Sequence, residues 1–475
     1  MSDEGWWSAA WPSTAVDPRA VWARTADGAR SVTFGELRAR TAGLARTFEA
    51  HGIGPGATVA LHGSPGFTHV WSVFALWSVG AQVVLVEPAL SRIEREALWD
   101  LARPRFVVTL GARYGDEERF VAECEVLVRR RPGGRRAVTD HALVQFSSGT
   151  TGRPRPVGRT PAALVTEVRR LGAVASMPGA GERVAVLEPV ARSFALIGGV
   201  LHAGAVGATV VLPRSGAPAD VVEAAAAAEV VLGRPGHFDV LAGAPAGVRL
   251  PRLRLAVSGG DRLSPDTAGA FARRFGVLVG QAYGTTETGI VATDLTGGHG
   301  PDALGVPVPG VRTRVVGGAL QVFGAAEHPP CGDPPGTAEP GPVRPAGWLA
   351  THDLVTRDPV TGLLRLRGRA SGLCVSGADL VDVEEVVRAH RHVRDAVVLG
   401  PDPVEAHVVG TAELRPAELS DWCRRYLGER GAPRRIHVVS ELARVAGGKA
   451  LRDRARLQGR GWAPRPGPSA AGRVR

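Results

Sequence analysis

A chain of 475 residues with 44% apolar and 22% charged residues has length for several domains with large cores, and these proportions exclude a disordered protein. The net charge of +11 invites a nucleic-acid reading. However, the basic residues are scattered, their clusters at 129–136, 434–435 and 452–456 are short, and aromatics make up only 5%, so a solvated basic surface is expected and no nucleic-acid partner.

The N-terminus, MSDEGWWSAAWPS, lacks a basic start followed by an apolar run, so it does not read as a signal peptide. Two later segments share one pattern. VWSVFALWSVGAQVVLVE (70–87) and LIGGVLHAGAVGATVVL (196–212) each read as an apolar helix, a glycine turn and a continuous apolar strand. Such β-branched runs suit strands buried on both faces of a parallel sheet. The run 194–212 has only His202 ionisable and is long enough to cross a bilayer. Gly198, Gly199, Gly204 and Gly207 interrupt it, so a buried helix and strand are expected, not a membrane span. Further strands are expected at 184–187, 229–232, 253–258 and 277–281, with helices at 218–228 and 264–275. This alternation predicts an α/β chain with two related sheet layers.

Composition shifts at 325–345, where PPCGDPPGTAEPGPVRP (329–345) reads as a loop. After Arg369 the pattern predicts strands at 373–375, 396–399 and 436–439 and helices at 383–389 and 419–427, a small α+β domain. The tail from Gly461 is rich in Pro and Gly and is expected to be disordered. The four cysteines, Cys124, Cys331, Cys374 and Cys423, are far apart and form no CxxC pair. They point to a reducing, cytoplasmic compartment.

The residues that carry chemistry lie at strand ends. VQFSSGTTGRPRPV (144–157) runs from a strand into a loop where Gly149 and Gly152 permit close backbone approach and Ser147, Ser148, Thr150 and Thr151 add hydroxyls. Such a loop can wrap a polyphosphate with backbone N–H groups; it is not a Walker A loop, since GxxxxGK[ST] is unmatched. It also reads as a Ser/Gly-rich turn. Ser258, Gly259, Gly260 and Asp261 end another strand, where α/β sheets bind ligands. GQAYGTTETG (280–289) holds Gln281, Ala282, Tyr283, Gly284 and Thr285, then Thr286, a candidate phosphate partner, and Glu287, a candidate Mg²⁺ ligand. Tyr283 could stack on a base. GWLATHDL offers Asp353 as an acceptor for ribose hydroxyls, and LRGRASGLCVSGADLVDVEEV offers Arg369 and the Ser376-Gly377 turn. Taken singly, each also reads as a turn or a solvated charge. One count sharpens the picture. Of 57 basic residues Lys449 is the single lysine, and Asn is absent. Arg stands in for Lys wherever charge alone suffices, so the lone Lys449 reads either as a place that needs a compact point charge or as a chance survivor.

In order and spacing, SSGTTGRPRPV, AYGTTET, GWLATHDL, LRGRASGLCVSGADLVDVEEV and AGGKALR resemble the motifs of the adenylate-forming superfamily, which includes acyl-CoA synthetases, luciferases and nonribosomal adenylation domains. The resemblance implies a large N-terminal AMP-binding and acyl-substrate domain (1–369), a hinge near Arg369, and a mobile C-terminal domain (370–460) carrying the adenylation lysine, before a tail (461–475). It implies ATP- and Mg²⁺-dependent conversion of a small carboxylic acid to an acyl-adenylate, then transfer to a thiol. CoA is the leading acceptor, with a stand-alone carrier protein or an amine as alternatives; a non-catalytic binding protein that keeps the fold is the remaining reading, against which the intact Lys449, Glu287 and Asp353 argue. Lys449, Thr286 and Glu287 fall on the catalytic positions. The 147–152 loop, Gly259–Asp261, Gln281–Thr285, Asp353 and Arg369 fall on ATP/AMP positions. Ser376 and Gly377 fall on the thiol-acceptor loop, and Arg192, Phe194 and His237 on the acyl pocket. The chain departs from the family at Arg155 (usually lysine), His352 (usually glycine), Ser371 (the acidic hinge residue) and Arg192 (often histidine). A charged Arg192 on an apolar element needs a partner, such as Glu188 or a polar group on the substrate.

Overall fold

The computed structural model describes residues 16–111, 120–147, 155–324, 347–369, 380–400, 403–444, 450–452 and 454–457. The expected loop at 329–345, the strand at 373–375 and the tail at 461–475 lie outside the described residues. Contacts divide the chain into two units. One holds the described residues up to Thr351 and again Val355–Leu366; the other holds His352–Leu354 and the described residues from Arg367 onward.

The first unit is built on two sheets with parallel centres. In the larger, the neighbouring strands Thr209–Leu212, Arg183–Val186, Val230–Gly233, Leu255–Gly259 and Val279–Thr285 run parallel, with Val184 opposite both Val210 and Val230. In the six-stranded sheet Phe106–Leu110, Thr58–Gly63, Gln82–Leu85 and Leu143–Phe146 run parallel between the antiparallel edges Val126–Arg130 and Pro156–Arg159. Val184, Val210, Val230 and Val83 are fully buried, as their unbroken apolar runs require.

The two segments with one pattern take one role. Helix Phe67–Ser78 and the π-helix Phe194–Leu201 with its continuation His202–Val206 are buried almost all round. Each is followed by a left-handed glycine, Gly80 (φ 74°) or Gly207 (φ 75°), and then by its strand. Both helices belong to one apolar core with the inward side chains of both sheets, Val59, Leu61 and Val83 from one and Val184, Val186 and Val257 from the other. Separate cores cover the outer faces. Phe238, Leu241 and Phe271 lie on the larger sheet, and Leu98 and Trp99 on the smaller. No helix among the described residues is long and apolar enough to cross a membrane.

The second unit has a three-stranded sheet, Val393–Leu399, Glu405–Gly410 and Arg435–Val438. Helices Leu380–Arg388 and Pro416–Gly431 cover one face through Val383, Val387, Leu419 and Cys423. The central strand Glu405–Gly410 is absent from the sequence reading. Its Glu and His residues break the apolar run by which a buried strand is recognised.

Two buried histidines give the first unit a pH dependence. His69, fully enclosed in helix Phe67–Ser78, is pushed down to about 4 by burial. His62 bonds to Thr109 Oγ1 (3.1 Å) and is pushed down to about 3 by burial and then by the charge of Arg95. Both are neutral when folded but take a proton when unfolded below the ordinary value of 6.5. The unfolded chain thus binds more protons between about pH 4 and 6.5, and stability falls as pH drops through that window. At pH 5 each histidine should cost about 2 kcal/mol relative to pH 7. Urea unfolding at the two pH values checks this, and His62→Gln should flatten the slope.

Candidate adenylation site

The hydroxyl loop begins where Leu143–Phe146 ends. Gln145, buried on that strand, donates to the Ala191 carbonyl (2.6 Å) and accepts from Ser193 Oγ (2.5 Å). It thereby ties the loop's entrance to the segment that starts the π-helix. The Ser147 N–H donates to the Arg155 carbonyl (2.9 Å), and Ser147 Oγ accepts from the Arg155 N–H (3.2 Å). Ser147 and Arg155 thereby hold together the two ends that flank residues 148–154. Ser148, Gly149, Thr150, Thr151 and Gly152 lie outside the described residues.

On the larger sheet, strand Leu255–Gly259 ends at Gly259 and Gly260, and both glycines have a local reason. A Cβ on Gly259 would stand 2.9 Å from the Phe194 ring, and Gly260 has φ +81°. Asp261 follows, exposed, accepting from the Arg262 N–H (2.9 Å).

The next strand, Val279–Thr285, turns back on itself through 286–288 into Gly289–Asp294. A Cβ on Gly284 would lie 2.1 Å from the Gly289 carbonyl oxygen, so the hairpin demands glycine there. The Thr285 N–H donates to Thr288 Oγ1 (3.0 Å), and the Thr288 N–H donates to Thr285 Oγ1 (3.3 Å). This reciprocal pair pins the turn and places Thr286 and Glu287, both half-buried, at its tip. Below the turn, Glu167 accepts from the Ile290 N–H (2.9 Å) and forms a buried ion pair with Arg159. Tyr283 is half-buried and Ala282 buried. Gln281 has a structural task that the sequence does not announce. Its amide nitrogen donates to the carbonyls of Pro301 (2.9 Å) and Ala303 (2.8 Å).

Asp353, on strand Trp348–Arg357, is only 4% exposed. His352 before it is exposed and left-handed (φ 62°), a conformation that glycine takes without strain. The departure at 352 thus keeps the backbone geometry and carries its strain in a histidine. The backbone of Arg369 ends strand Leu364–Arg369, and its side chain lies outside the described residues. Ser376, Gly377 and Lys449 also lie outside them.

A charged cluster sits just past the C-terminal ends of the parallel strands. Arg192 pairs with Glu87 (Nη2–Oε2 2.9 Å), not with the expected Glu188. Glu188, almost fully buried, pairs instead with Arg234 (Nε–Oε1 2.9 Å). Glu87 follows strand Gln82–Leu85, Glu188 follows Arg183–Val186 and Arg234 follows Val230–Gly233, the strand ends where α/β sheets place ligands. His237 Nδ1 accepts from the Arg234 backbone N–H (3.1 Å), which leaves its proton on Nε2. Burial, then the charges of Arg234 and Arg192, push His237 down to about 3, so it stays neutral. Phe194 lies beside Gly259 and Gly198, its ring 3.3 Å from where a Gly198 Cβ would stand. Glu87 and Arg234 are not among the residues that the sequence motifs single out. Their one local signal is a charge directly after an apolar strand.

The profile of the AMP-binding enzyme matches residues 9–328, and that of the AMP-binding enzyme C-terminal domain matches residues 382–449. The chain belongs to the AMP-binding enzyme family. Feruloyl-CoA synthase from Amycolatopsis sp is 26% identical over 493 aligned residues, covering 94% of this chain and 98% of that one. A probable 2-succinylbenzoate–CoA ligase of Mycobacterium tuberculosis is 31% identical over 347, covering 67% and 84%. The crystal structure of ATP-bound MatB from Rhodopseudomonas palustris shares the fold, with a TM-score of 0.80 at 20% identity over 95% of this chain and 97% of that one. The α/β architecture with a large sheet-rich N-terminal part and a small C-terminal part is therefore the family's own.

Proposed function

We propose that this enzyme activates a carboxylic acid with ATP as an acyl-adenylate, releasing pyrophosphate, and then passes the acyl group to the thiol of CoA. The observation that carries the reading is the pinned Thr285–Thr288 turn, which presents a hydroxyl and a carboxylate at the end of a sheet strand within a chain of this family. The substrate carboxylate oxygen attacks the α-phosphorus, and the bond to pyrophosphate breaks. Charge spreads over the phosphoryl oxygens, so the enzyme's work is positioning and neutralisation. Thr286 and the hydroxyl loop hold phosphate oxygens, Asp353 accepts from the ribose hydroxyls, and Lys449 sits against the attacking carboxylate and the α-phosphate. The half-buried Glu287 offers the oxygen donor that Mg²⁺ takes, and the ion supplies charge neutralisation when bound. In the second step a thiolate attacks the acyl carbonyl carbon and AMP leaves. Residues 370–460 carry Lys449 for the first step and the Ser376-Gly377 loop for the second. The reading places the enzyme in the cytoplasm, where ATP and reduced thiols are available.

The acyl pocket is lined by Phe194 and by the neutral His237. Among the described residues, Arg192 is matched by Glu87 and Arg234 by Glu188, so neither charge is spare for a second carboxylate. This favours an acid whose far end is uncharged and polar or aromatic. The test is ATP–pyrophosphate exchange over a panel of aryl, hydroxylated, short and long acids, followed by addition of CoA, a carrier protein or an amine. Exchange with one class and thioester formation with CoA support the reading. Exchange with no acid ends it, and turnover only with a carrier protein or an amine moves the acceptor. Within this reading, Asp353→Ala should raise the KM for ATP about 10- to 150-fold, the loss of a charge-assisted hydrogen bond of roughly 1.5–3 kcal/mol.

A further inference from the structure

The face of the three-stranded sheet opposite helices Leu380–Arg388 and Pro416–Gly431 carries polar groups that adenylation does not use. Strands Glu405–Gly410 and Arg435–Val438 pair in parallel, with His407 opposite His437. Alternation then puts Glu405, His407 and His437 on one face. Around them that face is apolar, with Val397, Leu399 and Leu442. His407 is 1% exposed, yet neither ring nitrogen has a hydrogen-bond partner among the described residues; the buried Nε2 of His437 is also without one. The two rings lie 4.6 Å apart, tilted by 18°. Glu405, also 1% exposed, pairs with Arg435 (3.1 Å) and Arg454 (3.0 Å). One donor atom from each of Glu405, His407 and His437 lies within 4.8 Å of the others.

An imidazole buried with both nitrogens idle is a standing penalty, and such a group points to a missing partner. We propose that Glu405, His407 and His437 form a binding site for a transition-metal dication of the zinc class. Two imidazole nitrogens and one carboxylate oxygen are a donor set that zinc accepts, with a fourth position left to water. Mg²⁺ seeks oxygen donors and is disfavoured here. Binding requires the three atoms to draw together by about 1 Å, since donors lie roughly 2.0–2.2 Å from the ion. The rings must also turn out of their stack, because the lone pairs lie in the ring planes. Arg435 and Arg454 stay on the remaining lone pairs of Glu405, as supporting hydrogen bonds to a metal-bound carboxylate do. Their charges oppose the ion, so affinity falls below that of closed thiolate sites. His437, about a third exposed, gives the ion its route in.

The test is calorimetric titration of the full-length, chelator-stripped enzyme with Zn²⁺ in the absence of ATP, together with visible spectra after Co²⁺ addition. The wild type should bind one ion per chain at this site and give the intense visible bands of a four-coordinate Co²⁺ complex. His407→Gln and His437→Gln should each weaken that binding by more than about 100-fold, beyond the range for losing a supporting partner. His51→Gln, on an exposed helix end, should bind as the wild type does. His437 is the more exposed of the pair, so its variant decides the matter if His407→Gln fails to fold. A wild type that binds no ion, or a folded His437→Gln that binds as well as the wild type, overturns the proposal.

Discussion

Replacing Lys449 by Ala should slow carboxylate-dependent ATP–pyrophosphate exchange about 10²- to 10³-fold while leaving the use of supplied acyl-adenylate largely intact. Removing a charge that meets the developing phosphoryl charge in a water-excluded site costs roughly 3–4 kcal/mol, or about 10²–10³ in rate. The second step involves no attack on phosphorus, so it should not share the loss. Lys449→Arg should fail as well. Among 57 basic residues this chain keeps one lysine, although arginine supplies positive charge everywhere else. Arginine is a wide planar fork, whereas an ammonium can sit between a carboxylate and a phosphate oxygen. Near-normal exchange by Lys449→Arg would show that the lone lysine carries no geometric meaning. Equal losses in both half-reactions would show that Lys449 has no role specific to the adenylation step.

Replacing Glu167 by Ala should destabilise the first unit by about 3–5 kcal/mol, the cost of stranding a buried guanidinium. Arg159 and Glu167 face each other with side chains 6% and 9% exposed. The same carboxylate accepts from the Ile290 N–H and lies where a Cβ on Gly289 would fall, 2.4 Å from Oε2. It thus supports the strand that leaves the Thr286–Glu287 turn. Urea unfolding of the variant checks the stability loss, and the double variant Arg159→Met/Glu167→Leu should recover much of it, because the stranded charge is gone. A single variant as stable as the wild type would mean that water reaches Arg159.

The parts of this fold that are legible in sequence are those whose signals are local. The helix–glycine–strand segments at 70–87 and 196–212 are written in unbroken apolar runs and in glycines that take left-handed φ at Gly80 and Gly207. The turn at Thr285–Thr288 is equally local, since its hydroxyls and amides bond to one another. Features set by distant pairing are hidden. Arg192 and Glu87 meet across 105 residues, and nothing beside either one names the other. Gln281 lies among ligand-like neighbours, yet its amide is taken by the turn at 300–303. His352 occupies a position that asks for glycine, and only its φ of 62° shows that the backbone keeps that shape. Strand Glu405–Gly410 escapes notice because Glu405 and His407 interrupt its apolar run, and Glu405 meets its partner Arg435 on the neighbouring strand rather than along its own.

Adenylation requires that the carboxylate oxygen attack the α-phosphorus of ATP. Its most direct test is turnover of an ¹⁸O-labelled carboxylic acid with ATP, Mg²⁺ and CoA, followed by mass spectrometry of the nucleotide. Attack at the α-phosphorus leaves one ¹⁸O in AMP, since the oxygen joining acyl group and phosphate departs with the nucleotide when the thiol attacks the carbonyl. Label in inorganic phosphate, with ADP as the nucleotide product, would mean attack at the γ-phosphorus and would rule out an acyl-adenylate.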